Sequence, residues 1–238
     1  MLLNMPAILA GGAALAPAAV VLFAAYGRYD GHFKDTLVFL WFVGGLFLGM
    51  GLAVLALLIL TAGLEVYSIG LALVAALAFT AILNRRKFRG ERHSVFNGGA
   101  FASGASVMVT LAFAQAYMIP RAGADALSLL ALLGIGTGLT FSMFAAGAWA
   151  GRGIAERAPF RHAAVAAAGL VVPFFLFQFY ARSGLILGYG SDVALGTSAL
   201  AAVYGFVALH VGRARVLPLG LPPGEARAMR RAERREQA

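Results

Sequence analysis

Glu65 is the one acid that falls inside a long apolar run of this chain, in the stretch GLEVYS (63–68). A carboxylate within a membrane-length segment is expensive and commonly marks function. Hydrolytic chemistry would ask for a second titratable group to complete an acid–base pair. The polar residues at a comparable depth are Tyr67 and Ser68, just after it, and Gln115 and Gln178, near the ends of two later apolar runs. None of these four supplies the missing acid or base. The five residues form a candidate polar pocket. The simpler alternative is a lone first-turn acid favoured by the positive end of a helix dipole.

The remaining chemistry-bearing residues are sparse. His32, His93, His162 and His210 show neither HxxxH nor HExxH spacing, so no metal site is assigned, and they read as interfacial residues among basic loops. The chain has no cysteine, which excludes disulfides, thiolate metal sites and thiol nucleophiles. Lys34 and Lys87 are the only lysines and both lie at or beside polar loops, so no retinal Schiff base is available. No phosphate loop, GxSxG elbow or dinucleotide fingerprint occurs in a fitting context. No catalytic residue and no cofactor is therefore expected. The chain reads as a non-enzymatic accessory, assembly or lipid- or ligand-binding subunit. The alternative is an intramembrane hydrolase, or a small-solute transporter or channel, built on the pocket around Glu65, with Asn97, Thr137 and Thr140 as candidate pore residues.

The elements that would position these residues follow from hydropathy. The chain has 238 residues, of which 61% are hydrophobic and only 12% charged. Apolar runs of about 20 residues recur, each long enough to cross the ~30 Å hydrocarbon layer as a helix. The expected fold is all-α: a polytopic integral membrane protein with seven transmembrane helices at 5–26, 36–60, 64–83, 94–118, 126–150, 163–180 and 193–211. The expected organisation is a seven-helix transmembrane domain over 1–211 and a basic cytoplasmic tail over 212–238. The segment 181–192 is too short and Gly-rich to span and is expected to be an interfacial loop. The first run has no preceding cation and exceeds a signal-peptide core, so it is read as an uncleaved span.

Charge then orients the bundle. Alternate loops carry Arg28 and Lys34, then Arg85, Arg86, Lys87, Arg89 and Arg92, then Arg152, Arg157 and Arg161, then seven arginines after position 212. The intervening loops hold only Arg121 and Arg182. By the positive-inside rule the cation-rich loops are cytoplasmic and the N-terminus is outside, in a plasma-membrane protein. The net charge of +9 is thus distributed along short loops, which argues against nucleic acid as a partner. The expected partners are membrane lipids. Arg85, Arg86, Lys87 and Arg89 and the tail residues Arg230, Arg231, Arg234 and Arg235 would contact anionic headgroups. Small residues at four-residue spacing, such as Gly45/Gly49, Gly99/Ser103, Ala100/Gly104 and Gly134/Gly138, predict close helix packing within the chain, or contact with other membrane subunits or a second copy.

Residues 62–180 resemble the PrsW-like family of glutamic-type intramembrane proteases. GLEVYSIGLALV looks like that family's helix opened by a Glu-Glu pair, NRRKF like its basic cytoplasmic loop, and SVFNGGAFASGAS with LAFAQAYM like its Gly- and Ala-rich helix ending in a further Glu. The reactive positions differ. The acid pair reads Leu64-Glu65, and the later Glu reads Gln115. GIGTGLTFSMF and FFLFQFY lack the two histidines. The resemblance implies a relative without proteolytic activity.

Overall fold

The computed structural model describes residues 5–29, 33–60, 62–118, 126–185, 191–222 and 224–225. Seven helices account for nearly all of them: α1 (Met5–Tyr26), α2 (Asp35–Leu58), α3 (Leu64–Leu83), α4 (Ser94–Phe113), α5 (Ala126–Ala155), α6 (Pro159–Leu185) and α7 (Ser191–Val211). No strand occurs among the described residues. All seven helices are long and apolar enough to cross a membrane. Such sequences choose helix because it satisfies every backbone donor and acceptor locally, without help from water.

The bundle is organised around α4 and α5. Within their apolar windows 83% and 72% of residues are buried, against 28%, 28% and 22% for α1, α2 and α7, which identifies the central pair. α2 and α5 pack on α4, α7 and α6 pack on α5, α3 lies mainly on α6, and α1 lies across α4 and α5. The small residues expected at helix contacts make this possible. A Cβ on Gly98 would overlap the Gly147 carbonyl of α5, and one on Gly147 would overlap the Gly98 carbonyl of α4. Gly45 meets the Phe101 carbonyl, and Gly104 meets the Phe42 carbonyl, so α2 and α4 also touch backbone to backbone. Gly138 does the same against Ala201 of α7. These faces pack within the fold, where close approach adds dispersion contacts.

The ends of the helices sort by charge. Tyr26 donates its hydroxyl to the Phe96 carbonyl, and Phe33 stacks 5.3 Å from Phe96. Gly90 N–H donates to the Ile154 carbonyl at 3.1 Å, and Arg92 donates to the Leu221 carbonyl at 2.9 Å. The segments around 27–34, 84–93, 152–161 and 213–222 therefore meet at one end, and with them the described cations of four separate segments. Arg182 is at the other end, on α6 just beyond Gln178, which reaches the α2–α3 turn.

Several expected boundaries move. The polar stretch 151–162, read as a loop, contracts to a three-residue turn. α5 continues to Ala155 and α6 starts at Pro159. Arg157 adopts φ 57, in the left-handed region, while Ala158 N–H bonds the Gly153 carbonyl (2.8 Å) and Arg157 N–H bonds the Ile154 carbonyl (3.3 Å). This paired 6→1 and 5→2 pattern is a Schellman cap, and Pro159 then opens α6, where its lack of an N–H costs nothing. α6 also runs on to Leu185, through the first residues of the expected 181–192 loop; residues 186–190 lie outside the described residues. The tail boundary shifts too. Residues 212–221, expected to be the start of a polar tail, turn back under the bundle as a π-helical and then a 3-10 turn. Val216, Leu217 and Leu221 are buried against Val95, Phe96 and Phe144, and Gly220 lies against the Phe96 ring. Their apolar surface outweighs the charge of Arg213 and Arg215.

Candidate functional site

The five residues expected to share a polar pocket are divided by the helices that carry them. Glu65 sits in the first turn of α3 and is exposed. Gln115 follows α4 in a π-helical turn (Ala114–Met118) and is also exposed. Tyr67, Ser68 and Gln178 are buried. The Ser68 hydroxyl donates to the Leu64 carbonyl one turn back (2.7 Å). Gln178 Nε2 donates to the carbonyls of Leu60 (2.9 Å) and Ala62 (3.0 Å), the last residues of the α2–α3 connection. Gln178 is thus a staple between α6 and that turn, and its Oε1 has no partner among the described residues. Of these five side chains, Glu65 and Gln115 are exposed and Tyr67, Ser68 and Gln178 are buried. Equal depth along the helices placed the five together, but their rotation about each helix axis separates them.

Of the candidate pore residues, Thr140 and Asn97 are buried and Thr137 is part-exposed. Thr140 is fully buried and accepts a hydrogen bond from Ser106 (2.9 Å), and Thr137 donates to the Leu133 carbonyl (2.7 Å). Asn97 is buried in α4.

A different constellation forms at the α5–α6 turn. Trp149, Arg152 and Glu156 recur at spacings of three and four, which puts them on one face of the end of α5. Arg152 Nε donates to Glu156 Oε1 at 2.7 Å, and the Arg152 guanidinium lies 4.9 Å from the Trp149 ring centre. The short turn brings His162, in the first turns of α6, back onto the same group. Its ring stacks 5.9 Å from Trp149, and its Nε2 lies 3.2 Å from Glu156 Oε2. His162 Nδ1 lies 3.0 Å from the Ala158 carbonyl. Each ring nitrogen thus lies within hydrogen-bond distance of an oxygen, Nδ1 of the Ala158 carbonyl and Nε2 of Glu156. His162 is buried although its turn is polar. With Arg161 and Val165 these residues line a pocket of about 190 Å³.

Trp149 and Val165 also belong to a second, larger cavity. It holds about 220 Å³ between α5, α6 and α7 and is lined mostly by small and apolar side chains. Its one aromatic hydroxyl, on Tyr204, donates to the Gly169 carbonyl at 3.0 Å and so closes the floor rather than offering a free donor. Ala145, Ala146, Ala166 and Gly169 leave the space that larger residues would fill. The two cavities adjoin, with Trp149 and Val165 lining both, so a charged pocket at the cation-rich end lies next to an apolar one.

Arg85, Arg86 and Arg89 are exposed near the mouth of this end, Arg89 donating to Asn84 Oδ1 at 2.9 Å. Nothing is described of the Lys87 side chain, and Arg230, Arg231, Arg234 and Arg235 lie outside the described residues. Among the described residues no group of three or more His, Asp or Glu side chains is disposed to hold a metal ion.

Sequence reasoning did not find the α5–α6 site. Its visible signal was Trp149, Arg152 and Glu156 at helical spacing, but the stretch was read as a loop, where spacing has no meaning. No protein-family model matches the chain, and neither a curated protein nor a solved structure shows detectable similarity to it.

Proposed function

We propose that this is a non-enzymatic, multi-pass protein of the cell membrane that binds an amphiphile in the cleft between α5, α6 and α7. One observation carries the reading: a charged pocket and an apolar groove lie side by side, with Trp149 and Val165 lining both. That is the polarity profile of a lipid, with a headgroup at the interface and a chain in the oil. The outward faces of α1, α2 and α7 present Phe23, Phe47, Leu58, Val203 and Phe206, side chains suited to hydrocarbon. In this reading the cation-rich end faces the cytoplasm, the N-terminus lies outside, and Trp149 sits at headgroup level. Arg85, Arg86, Lys87 and Arg89, with the tail arginines, contact anionic lipids of the inner leaflet, each adding about 1 kcal/mol near the surface.

The resemblance to PrsW-like proteases enters as that of a scaffold without its acids. Glu65 stands alone and exposed at the start of α3, and position 115 is an exposed Gln. An accessory or assembly role for such a scaffold is compatible with amphiphile binding.

The test is co-purification. The full chain, extracted in mild detergent, is expected to carry a bound amphiphile detectable by native mass spectrometry. A Cβ at Gly169 meets nothing within 4 Å, so Gly169→Leu can occupy the groove without displacing backbone. That variant should fold and lose the bound mass. A wild-type chain that carries nothing, or a variant that retains the mass, contradicts the reading.

A further inference from the structure

Resting on the amphiphile reading above, we propose that the pocket beside Trp149 selects a single-chain lipid with an anionic phosphate headgroup. The argument is one of charge and of which donors remain. Two arginines and an imidazole face a single carboxylate in this pocket. Glu156 is already engaged by Arg152 Nε and His162 Nε2, so it offers little to an incoming ammonium group. The Trp149 ring is flanked by the Arg152 guanidinium at 4.9 Å and the stacked His162 ring at 5.9 Å. The Arg152 guanidinium already takes the cation–π contact at this ring, so a quaternary ammonium would have to share it with a like charge. A choline or ethanolamine head is thereby disfavoured at both of its usual contacts.

An anion finds the opposite situation. Arg161 lines the pocket, is exposed, and has no hydrogen bond or ion pair among the described residues. Arg152 spends Nε on Glu156 and keeps its two terminal amino groups. Guanidinium forks match phosphate oxygens in pairs, which a lysine in their place would not. The buried His162 ring, held by the Ala158 carbonyl, forms a fixed wall behind them. Chain number follows from the groove. An apolar cavity of about 150 Å³ takes a benzene-sized guest, so the 220 Å³ here suits a segment of one chain and not two side by side.

The experiment uses the full chain in detergent and three probes with the same palmitoyl chain: lysophosphatidic acid, lysophosphatidylcholine and monopalmitoylglycerol. The expected order is lysophosphatidic acid first, on the order of tenfold tighter than the neutral glycerol ester, with the choline lipid no tighter than the neutral one. Arg161→Gln is expected to erase most of that preference, and Arg161→Lys to restore part of it. Equal binding of the three probes, or a preference for the choline lipid, overturns the headgroup assignment and leaves the groove reading standing. Binding of none of them overturns both. Displacement of lysophosphatidic acid by inorganic phosphate at equal concentration would mark a site for the free ion and would also overturn the lipid assignment.

Discussion

His162 Nε2 lies 3.2 Å from Glu156 Oε2, across a turn of only three residues that joins α5 to α6. The contact depends on the backbone at Arg157. If that residue left the left-handed region, the Schellman cap would open and His162 would swing away from Trp149 and Glu156.

Arg157 is the only non-glycine residue with positive φ among the described residues. An L-residue with a Cβ is penalised there and glycine is not. Arg157→Gly is expected to stabilise the protein by up to about 1 kcal/mol, and Arg157→Val to destabilise it by at least as much, because a β-branched residue tolerates this region least. Thermal unfolding in detergent, followed by tryptophan fluorescence, reads both shifts, and the opposite order would refute the cap.

Glu156 is 43% exposed, so its pairs with Arg152 and His162 are partly screened and contribute little to folding. Glu156→Gln should therefore leave the melting temperature nearly unchanged. It should strengthen binding of an anionic amphiphile, because Arg152 loses its internal counter-ion. Weaker binding by this variant would show that Glu156 orders the pocket rather than neutralises it.

Gly98 and Gly147 face each other where α4 and α5 cross, whereas Gly51 and Gly70 have open space beyond their Cα atoms. Gly98→Val or Gly147→Val should cost about 1–3 kcal/mol by overpacking. Gly51→Ala and Gly70→Ala should be neutral or slightly stabilising, since alanine favours helix over glycine by about 1 kcal/mol. Melting temperatures of the four variants decide whether the small-residue faces hold this chain together internally. Dissociation of an oligomer on Gly51→Leu, with the monomer intact, would instead point to contact between copies.

Gln178 donates two hydrogen bonds, one buried and one part-buried, to carbonyls 118 and 116 residues away in sequence. Gln178→Leu leaves both carbonyls short of a donor and should cost about 1–3 kcal/mol. Hydrogen exchange should accelerate around residues 59–63. Glu65→Gln, at an exposed first-turn position, should change stability by only a few tenths of a kcal/mol. A Glu65→Gln variant that lost a cellular phenotype at unchanged protein level would revive a catalytic or transport role for that residue.

The helices themselves were legible because length and apolarity are properties of a run, readable without knowing any partner. The gathering of Arg28, Arg85, Arg152 and Arg213 segments at one end was legible for the same reason, since long helices joined in series by short turns place alternate loops at the same end. Azimuth was not legible. Glu65, Gln115 and Gln178 have similar depth, but only rotation about each helix decides that Gln178 points inward and the other two outward. The α5–α6 turn was hidden because its capping residue is arginine, where sequence reasoning looks for glycine. Reading 151–162 as loop removed Arg152 and Glu156 from the helix that aligns them with Trp149. The buried fate of Val216, Leu217 and Leu221 was obscured by the charges and prolines around them.

The absence of cysteine makes orientation directly measurable. Single cysteines at Arg86 and at Gly63 occupy opposite ends of the bundle. An impermeant maleimide added to intact cells should label the cysteine at 63 and spare the one at 86 until the membrane is opened. Labelling of position 86 from outside would invert the proposed topology.

Amphiphile binding between α5, α6 and α7 is tested most directly by photocrosslinking. A diazirine-bearing single-chain phosphate lipid is incubated with the purified full chain, irradiated, and the labelled peptides are mapped. The account predicts adducts concentrated on residues 142–149, 165–169 and 204–211, lost on Gly169→Leu and competed by unlabelled lysophosphatidic acid. Adducts spread evenly over the outward faces of α1 and α2, around Phe23 and Phe47, and unaffected by competitor, would contradict it.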